Sequence, residues 1–210
     1  MKKMAMALGI AAVCLCLAGV CAAEEKAAAG LTPEQIARLE DGKVVVFKKG
    51  SKDAKGNLLG NGRVMVLVGK PYQEVWKHLR DHDKWPEFMP HLVKIETYYE
   101  KGNEAGVHET LSILLNKVRY YVIHTNTYDE KAGTLAWRLD KSKKNDIKDT
   151  SGSWTIKPYG KDRCLIDYSV TVDSGMYVPG FIEDFLFNQD LPGVVKALKK
   201  RAESNGTYKK

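Results

Sequence analysis

Beyond its first 23 residues this chain has almost no cysteine. Cys14, Cys16 and Cys21 lie within that stretch, and only Cys164 follows. A lone thiol makes no internal disulfide, so whatever folds downstream is held by its core. Long apolar runs are equally scarce, and after position 23 none is long enough to cross a bilayer as a helix. Catalytic spacings are missing too. His78 to His82 reads His-Leu-Arg-Asp-His, without the glutamate of a zinc-protease His-Glu-x-x-His run. His91, His108 and His124 are scattered on strand-like segments with no ligand spacing. No Gly-x-Ser-x-Gly elbow occurs, and the Gly-rich stretch 56–62 lacks the Lys-Ser/Thr ending of a phosphate-binding loop. There is no internal repeat and no heptad run. The expectation is therefore no metal, no cofactor and no ready-made catalytic set.

What is present starts at the N-terminus. Met1-Lys2-Lys3 is a short positive start, Met4 to Cys21 is apolar, Ala22 and Ala23 are small, and Glu24-Glu25-Lys26 is polar. That order predicts a cleaved secretory signal over 1–23, cut after Ala22 or Ala23. Val20 before Cys21 does not suit a lipoprotein signal. The rest is then expected in the periplasm, where soluble nucleotide cofactors are scarce and nucleic acid is not an expected partner. Removing Lys2 and Lys3 from 33 basic residues leaves 31 against 26 acids, a net charge of +5. The basic residues cluster at Lys141–Lys144 and near the C-terminus at Lys196, Lys199, Lys200, Arg201, Lys209 and Lys210. Such clusters are solvated faces or transient contacts with an anionic membrane surface.

Residues 24–42 read as a leader with one short helix. Thr32 caps it, Pro33 takes its first position, and Gln35 completes a capping box. A single domain is expected over 43–205, with 206–210 as a flexible tail. Lys43–Lys48 and Arg63–Val68 read as strands that could pair, with Asp53–Gly62 a loop by composition. Pro71–His82 is an amphipathic helix, and Lys84–Met89 is a second, closed by Pro90. Six period-two runs follow: Leu92–Tyr99, Gly106–Leu115, Val118–Tyr128, Thr134–Asp140, Ser151–Tyr159 and Cys164–Val172. Short breaks between long strands mean antiparallel neighbours. Pro179–Phe187 and a second start at Asp190 then form a helical end with an apolar stripe through Val194, Val195 and Leu198.

Several stretches in this order carry a resemblance. They are Val75-Trp76-Lys77-His78-Leu79 with Asp83 to His91, Gly152-Ser153-Trp154-Thr155-Ile156 with Cys164 to Tyr168, and Val178-Pro179-Gly180-Phe181 with Leu191 to Val195. Together, over roughly Arg63 to Glu203, the chain resembles the helix-grip superfamily of START lipid-transfer domains, polyketide cyclases, coenzyme-Q-binding proteins and birch pollen allergens. The resemblance implies an α+β fold, a curved antiparallel sheet wrapped around a long C-terminal helix, with a hydrophobic cavity between them.

Alternation places Glu109 in a row with Val107, Leu111, Ile113 and Leu115, and His124 in a row with Val118, Tyr120 and Val122. It leaves open which row of each strand faces in. Cys164, in parity with Ile166, Tyr168 and Val170, reads as a packed residue. The expected cavity lining is Trp85, Phe88 and Met89 from the short helix, Phe185 from the helical end, and Glu109, Leu111, Ile113, Tyr120, His124, Trp137, Trp154 and Tyr168 from the strands. Each alone reads as core packing. As a set they offer apolar walls with few polar tips, which suits a greasy ligand with a polar head. The expected function is binding and transfer of a lipid or other hydrophobic small molecule. The alternatives are a cyclase or dehydratase using Glu109, His124, His108, Arg138 or Asp167 as acid–base groups, and an accessory protein with a filled core.

Overall fold

The computed structural model describes residues 30–52, 57–113, 116–177 and 190–210. The expected signal, the Pro179–Phe187 helix and Phe185 lie outside the described residues. The first element is α1 (Pro33–Glu40), where Thr32 and Gln35 form the reciprocal capping box. Strands β1 (Val45–Lys52) and β2 (Asn57–Val68) pair antiparallel. Next come α2 (Tyr72–Arg80), a 3-10 turn at His82–Lys84 and the single turn α3 (Trp85–Phe88). Met89 turns extended ahead of Pro90, as the steric demand of proline requires.

Six antiparallel strands then run as a meander: β3 (Leu92–Lys101), β4 (Glu104–Ile113), β5 (Asn116–Tyr128), β6 (Gly133–Leu139), β7 (Asp149–Tyr159) and β8 (Arg163–Tyr177). β8 lies beside β2, giving one sheet in the order β1-β2-β8-β7-β6-β5-β4-β3. The last element, α4 (Leu191–Glu203), packs Val195, Leu198 and Ala202 onto the sheet's concave face. On the opposite face α1 covers a second, smaller core in which Leu39 meets Val45, Met65, Leu67, Tyr159 and Leu165. Glu40 ties that helix down, accepting from the Tyr159 hydroxyl at 2.7 Å and from Arg163 at 2.6 Å. Among the described residues no helix is long and apolar enough to cross a membrane.

Two sequence expectations are corrected. The loop over Asp53–Gly62 gives way to strand from Asn57 onward, because that segment is laddered on both sides, to β1 and to β8. Backbone pairing on two sides overrides the poor strand propensity of Asn and Gly. The 206–210 tail is docked. Lys210 Nζ donates to the carbonyls of Met89 and Leu92, both at 2.6 Å, and Arg201 donates to the Tyr208 carbonyl at 2.8 Å and to Glu87 at 3.0 Å. Hydrogen bonds to carbonyls that the chain turn leaves open are the reason. They also engage part of the basic C-terminal cluster within the molecule.

Candidate functional site

The inward rows change character along each strand. On β2, Val68, Val66 and Val64 are fully buried, and Gly62 and Gly60 follow in the same row. On β8, buried Cys164 and Ile166 give way to Tyr168, Val170 and Val172. On β7, Ile156 and Trp154 give way to Gly152 and Thr150. The registers set small residues against valines, Gly60 opposite Val172 and Gly152 opposite Val170. Gly60 puts no side chain into the space between sheet and helix, and Gly152 gives its place to the Trp137 ring at the wall, so one half of the concave face is solid and the other hollow. The hollow is a cavity of about 260 Å³, just below the usual size range of small-molecule sites.

Its aromatic wall is held from behind. A Cβ on Gly152 would overlap the Trp137 ring and the Ser169 carbonyl, so glycine lets the indole lie flat across its neighbouring strand. Trp137 Nε1 donates to Thr150 Oγ1 at 3.4 Å, and Thr150 donates to the Thr171 carbonyl at 3.1 Å. The indole stacks on Tyr168 at 5.7 Å, and Tyr168 meets Trp154 at 4.3 Å. Opposite, Leu111 and Ile113 of β4 and Val118 of β5 continue the wall. Trp85 donates its indole N–H to the Leu79 carbonyl at 3.0 Å, leaving the ring face for the cavity side.

Polar groups are few and grouped. Glu109 and Tyr120 are direct cross-strand partners on β4 and β5. Burial, then the Glu109 carboxylate, holds the Tyr120 hydroxyl well above the usual tyrosine range. Burial does the same for Tyr168. Both rings are half-buried because one side faces the cavity. Both hydroxyls therefore stay neutral donors at ordinary pH. His124 is 2% exposed, and its Nε2 lies 3.7 Å from Glu109 Oε1. Its Nδ1 is buried with no hydrogen-bond partner among the described residues. Trp85 and His82 pack on its ring at 5.7 and 5.9 Å. Burial and then His124 hold His82 below the usual histidine range. Asp190, which lines the same cavity, lies 3.2 Å from His91 Nε2, while His91 Nδ1 donates to the Ser112 carbonyl at 3.1 Å. Burial raises Asp190, and His91 opposes that shift.

Ten of the twelve expected residues line this one cavity: Trp85, Met89, Glu109, Leu111, Ile113, Tyr120, His124, Trp137, Trp154 and Tyr168. Phe88 does not. It is 1% exposed and packs beneath the Arg201 guanidinium of α4 at 5.3 Å, while Met89, extended after the helix, reaches the cavity. Phe185 lies outside the described residues. Of the acid–base candidates only Glu109 and His124 face in. His108 stacks on Tyr121 near Glu96, Asp167 is paired with Arg63, and Arg138 is exposed.

Other lining residues were not singled out. Val170 and Val172 share the row of Tyr168, so alternation held that signal. Ile147 comes from a loop that carried none. Asp190, read as a helix cap, makes no side-chain cap bond and turns to the cavity instead. Among the described residues no three His, Cys, Asp or Glu side chains gather as a metal site.

A curved antiparallel sheet gripping a C-terminal helix over an apolar cavity defines the START-like, helix-grip class. The family model "Polyketide cyclase / dehydrase and lipid transport" matches residues 68–199, and the chain belongs to that family. The fold is shared with a STAR-related lipid transfer protein from Xanthomonas axonopodis, at TM-score 0.60 and 19% identity over 74% of this chain and 98% of that one. It is shared with an aromatase/cyclase from Streptomyces, at TM-score 0.59 and 16% identity over 70% and 95%. A START superfamily protein from Mycobacterium smegmatis aligns at TM-score 0.57 and 17% identity over 69% and 98%. No curated protein matches the chain. Family membership supports hydrophobic-ligand binding or cyclase-type chemistry.

Proposed function

We propose that this protein binds a lipid or other hydrophobic small molecule in the cavity between sheet and α4, and carries it through the periplasm between membranes. The observation that carries the reading is the hollow half of the concave face, with apolar walls and polar groups gathered at few points. Such a site buries a greasy body and orients one polar end. The segment 1–23 supports export, and exposed Lys143, Lys144 and Lys196 supply charge for a transient meeting with anionic lipid.

The test is native mass spectrometry of the protein purified from the periplasm without detergent, followed by organic extraction. A discrete added mass that releases a hydrophobic molecule supports the carrier. A clean apo mass, with no binding on incubation with total membrane lipid, removes it. Recovery of the protein in the cytoplasmic fraction removes the periplasmic part alone.

One observation favours a second reading, a cyclase or dehydratase: Glu109 and His124 form an inward acid–base pair at 3.7 Å. In that case Glu109→Gln abolishes turnover of a bound substrate while binding survives. In a carrier the ligand is recovered chemically unchanged from both forms.

A further inference from the structure

The cavity is one-sided in charge. Among the described residues that line it are two carboxyl groups, Glu109 and Asp190, and no lysine or arginine. The groups nearest to a positive charge are imidazoles already facing those carboxyls, His124 at 3.7 Å from Glu109 and His91 at 3.2 Å from Asp190. A ligand ending in a carboxylate or phosphate would bring a further negative charge into this space and meet no lysine or arginine among the described lining residues. Burial of an unpaired anion is strongly unfavourable.

An uncharged hydroxyl fits what is there. Its O–H donates to the Glu109 carboxylate, beside the hydroxyl of Tyr120, which hydrogen-bonds that same carboxylate from directly across the strand pair. An ammonium head fits less well, because it gives up far more hydration on burial than a hydroxyl and must share the Glu109 carboxylate with the His124 imidazole 3.7 Å away. Building on the ligand-binding reading above, we propose that the cavity selects an uncharged amphiphile with a hydroxyl head seated at Glu109 and Tyr120, and turns away carboxylate- and phosphate-headed lipids of equal length. Specificity arises from like-charge exclusion as much as from attraction.

The experiment compares four probes with one tail and different heads: dodecan-1-ol, dodecanoate, dodecyl phosphate and dodecylamine. Each is titrated into the purified chain at neutral pH and read by the fluorescence of Trp85, Trp137 and Trp154 at the cavity wall, with calorimetry as a check. The alcohol is expected to bind about tenfold to a hundredfold tighter than either acid. It is also expected to bind tighter than the amine. Glu109→Gln removes the repelling charge and brings alcohol and dodecanoate within about threefold of each other. The ranking on the unaltered protein decides the matter even if that variant fails to fold. Equal or tighter binding of dodecanoate or dodecyl phosphate overturns the inference, as does tightest binding of dodecylamine, and either result leaves ligand binding itself standing. Failure of all four probes to bind overturns both the inference and the ligand-binding reading.

Discussion

The two halves of the concave face are built on the same strands and differ only in what those strands carry. At the solid end β2 presents Val64, Val66 and Val68, β7 presents Ile156, and β8 presents Cys164 and Ile166, all fully buried against α2 and α4. At the hollow end the same rows present Gly60, Thr150, Val170 and Val172, with Gly152 seating the Trp137 ring. Backbone geometry is continuous between them. A cavity in this fold therefore needs no special backbone: it follows from withholding side-chain volume at a few inward positions while large rings at the border keep the walls apart.

The largest effect that would sharpen the contrast is truncation at the solid end. Ile166→Ala or Leu198→Ala should cost about 2–5 kcal/mol, read from urea unfolding, because both positions are fully enclosed and leave a void. A loss below about 1 kcal/mol would show that this end is not close-packed.

Filling the hollow end is next. Gly152→Val places carbon where the Trp137 ring and the Ser169 carbonyl lie, so the indole must leave its seat. The expected cost is about 1–3 kcal/mol, together with loss of ligand binding. Unchanged binding by this variant would contradict the placement of the aromatic wall.

Trp137→Ala separates the halves by sign of consequence. A ring packed in a solid core would cost about 3–5 kcal/mol. At the hollow end the indole already borders empty space, so the loss should be less than half of that, with ligand affinity falling far more than stability. Equal stability loss at Trp137 and Ile166 would break the comparison.

Acid should act through the border between the halves. His82 is held below its ordinary value of 6.5 by burial and by His124, so the unfolded chain binds protons that the folded chain resists. Its contribution to stability is full above about 6.5 and is lost as pH falls through the lower folded value. His78, lowered for the same first cause, adds to the trend. His82→Gln should flatten the acid limb of a stability–pH curve measured by thermal unfolding. An unaltered limb would remove His82 as a cause.

The smallest effect is chemical. Burial pushes the Cys164 thiol up to about 12, so it should not react with a thiol reagent at neutral pH until the protein unfolds. Prompt labelling of the folded protein would mean that the solid end opens.

Much of the fold was legible in the sequence. Alternation gave six strands of the meander within a few residues, and Thr32, Gln35, Pro71 and Pro90 marked helix boundaries where the structure has them. The strand from Asn57 was hidden because its composition is that of a loop, and only the two neighbouring strands make it extended. The docked tail was hidden because its partners, Glu87, Met89 and Leu92, are more than a hundred positions away. In the cavity the aromatic residues, Glu109 and His124 stood out from their rows, while Asp190 looked like a helix cap. The glycines and Thr150 did not, since a missing side chain looks the same in a turn as beside a hollow. Phe88 was misassigned because residue type and helix membership do not fix rotation over a single turn.

By itself the sequence determined the strand periods, the capped helix starts, the lone buried thiol and the pairing of Glu109 with an apolar row, since each depends on local geometry and residue type. Tertiary structure decided which row faces in, that β2 closes against β8, and that Glu109, Tyr120 and His124 share one space with Asp190. The physical reason is that curvature and register act across residues far apart in the chain, and the volume left empty belongs to no single one of them.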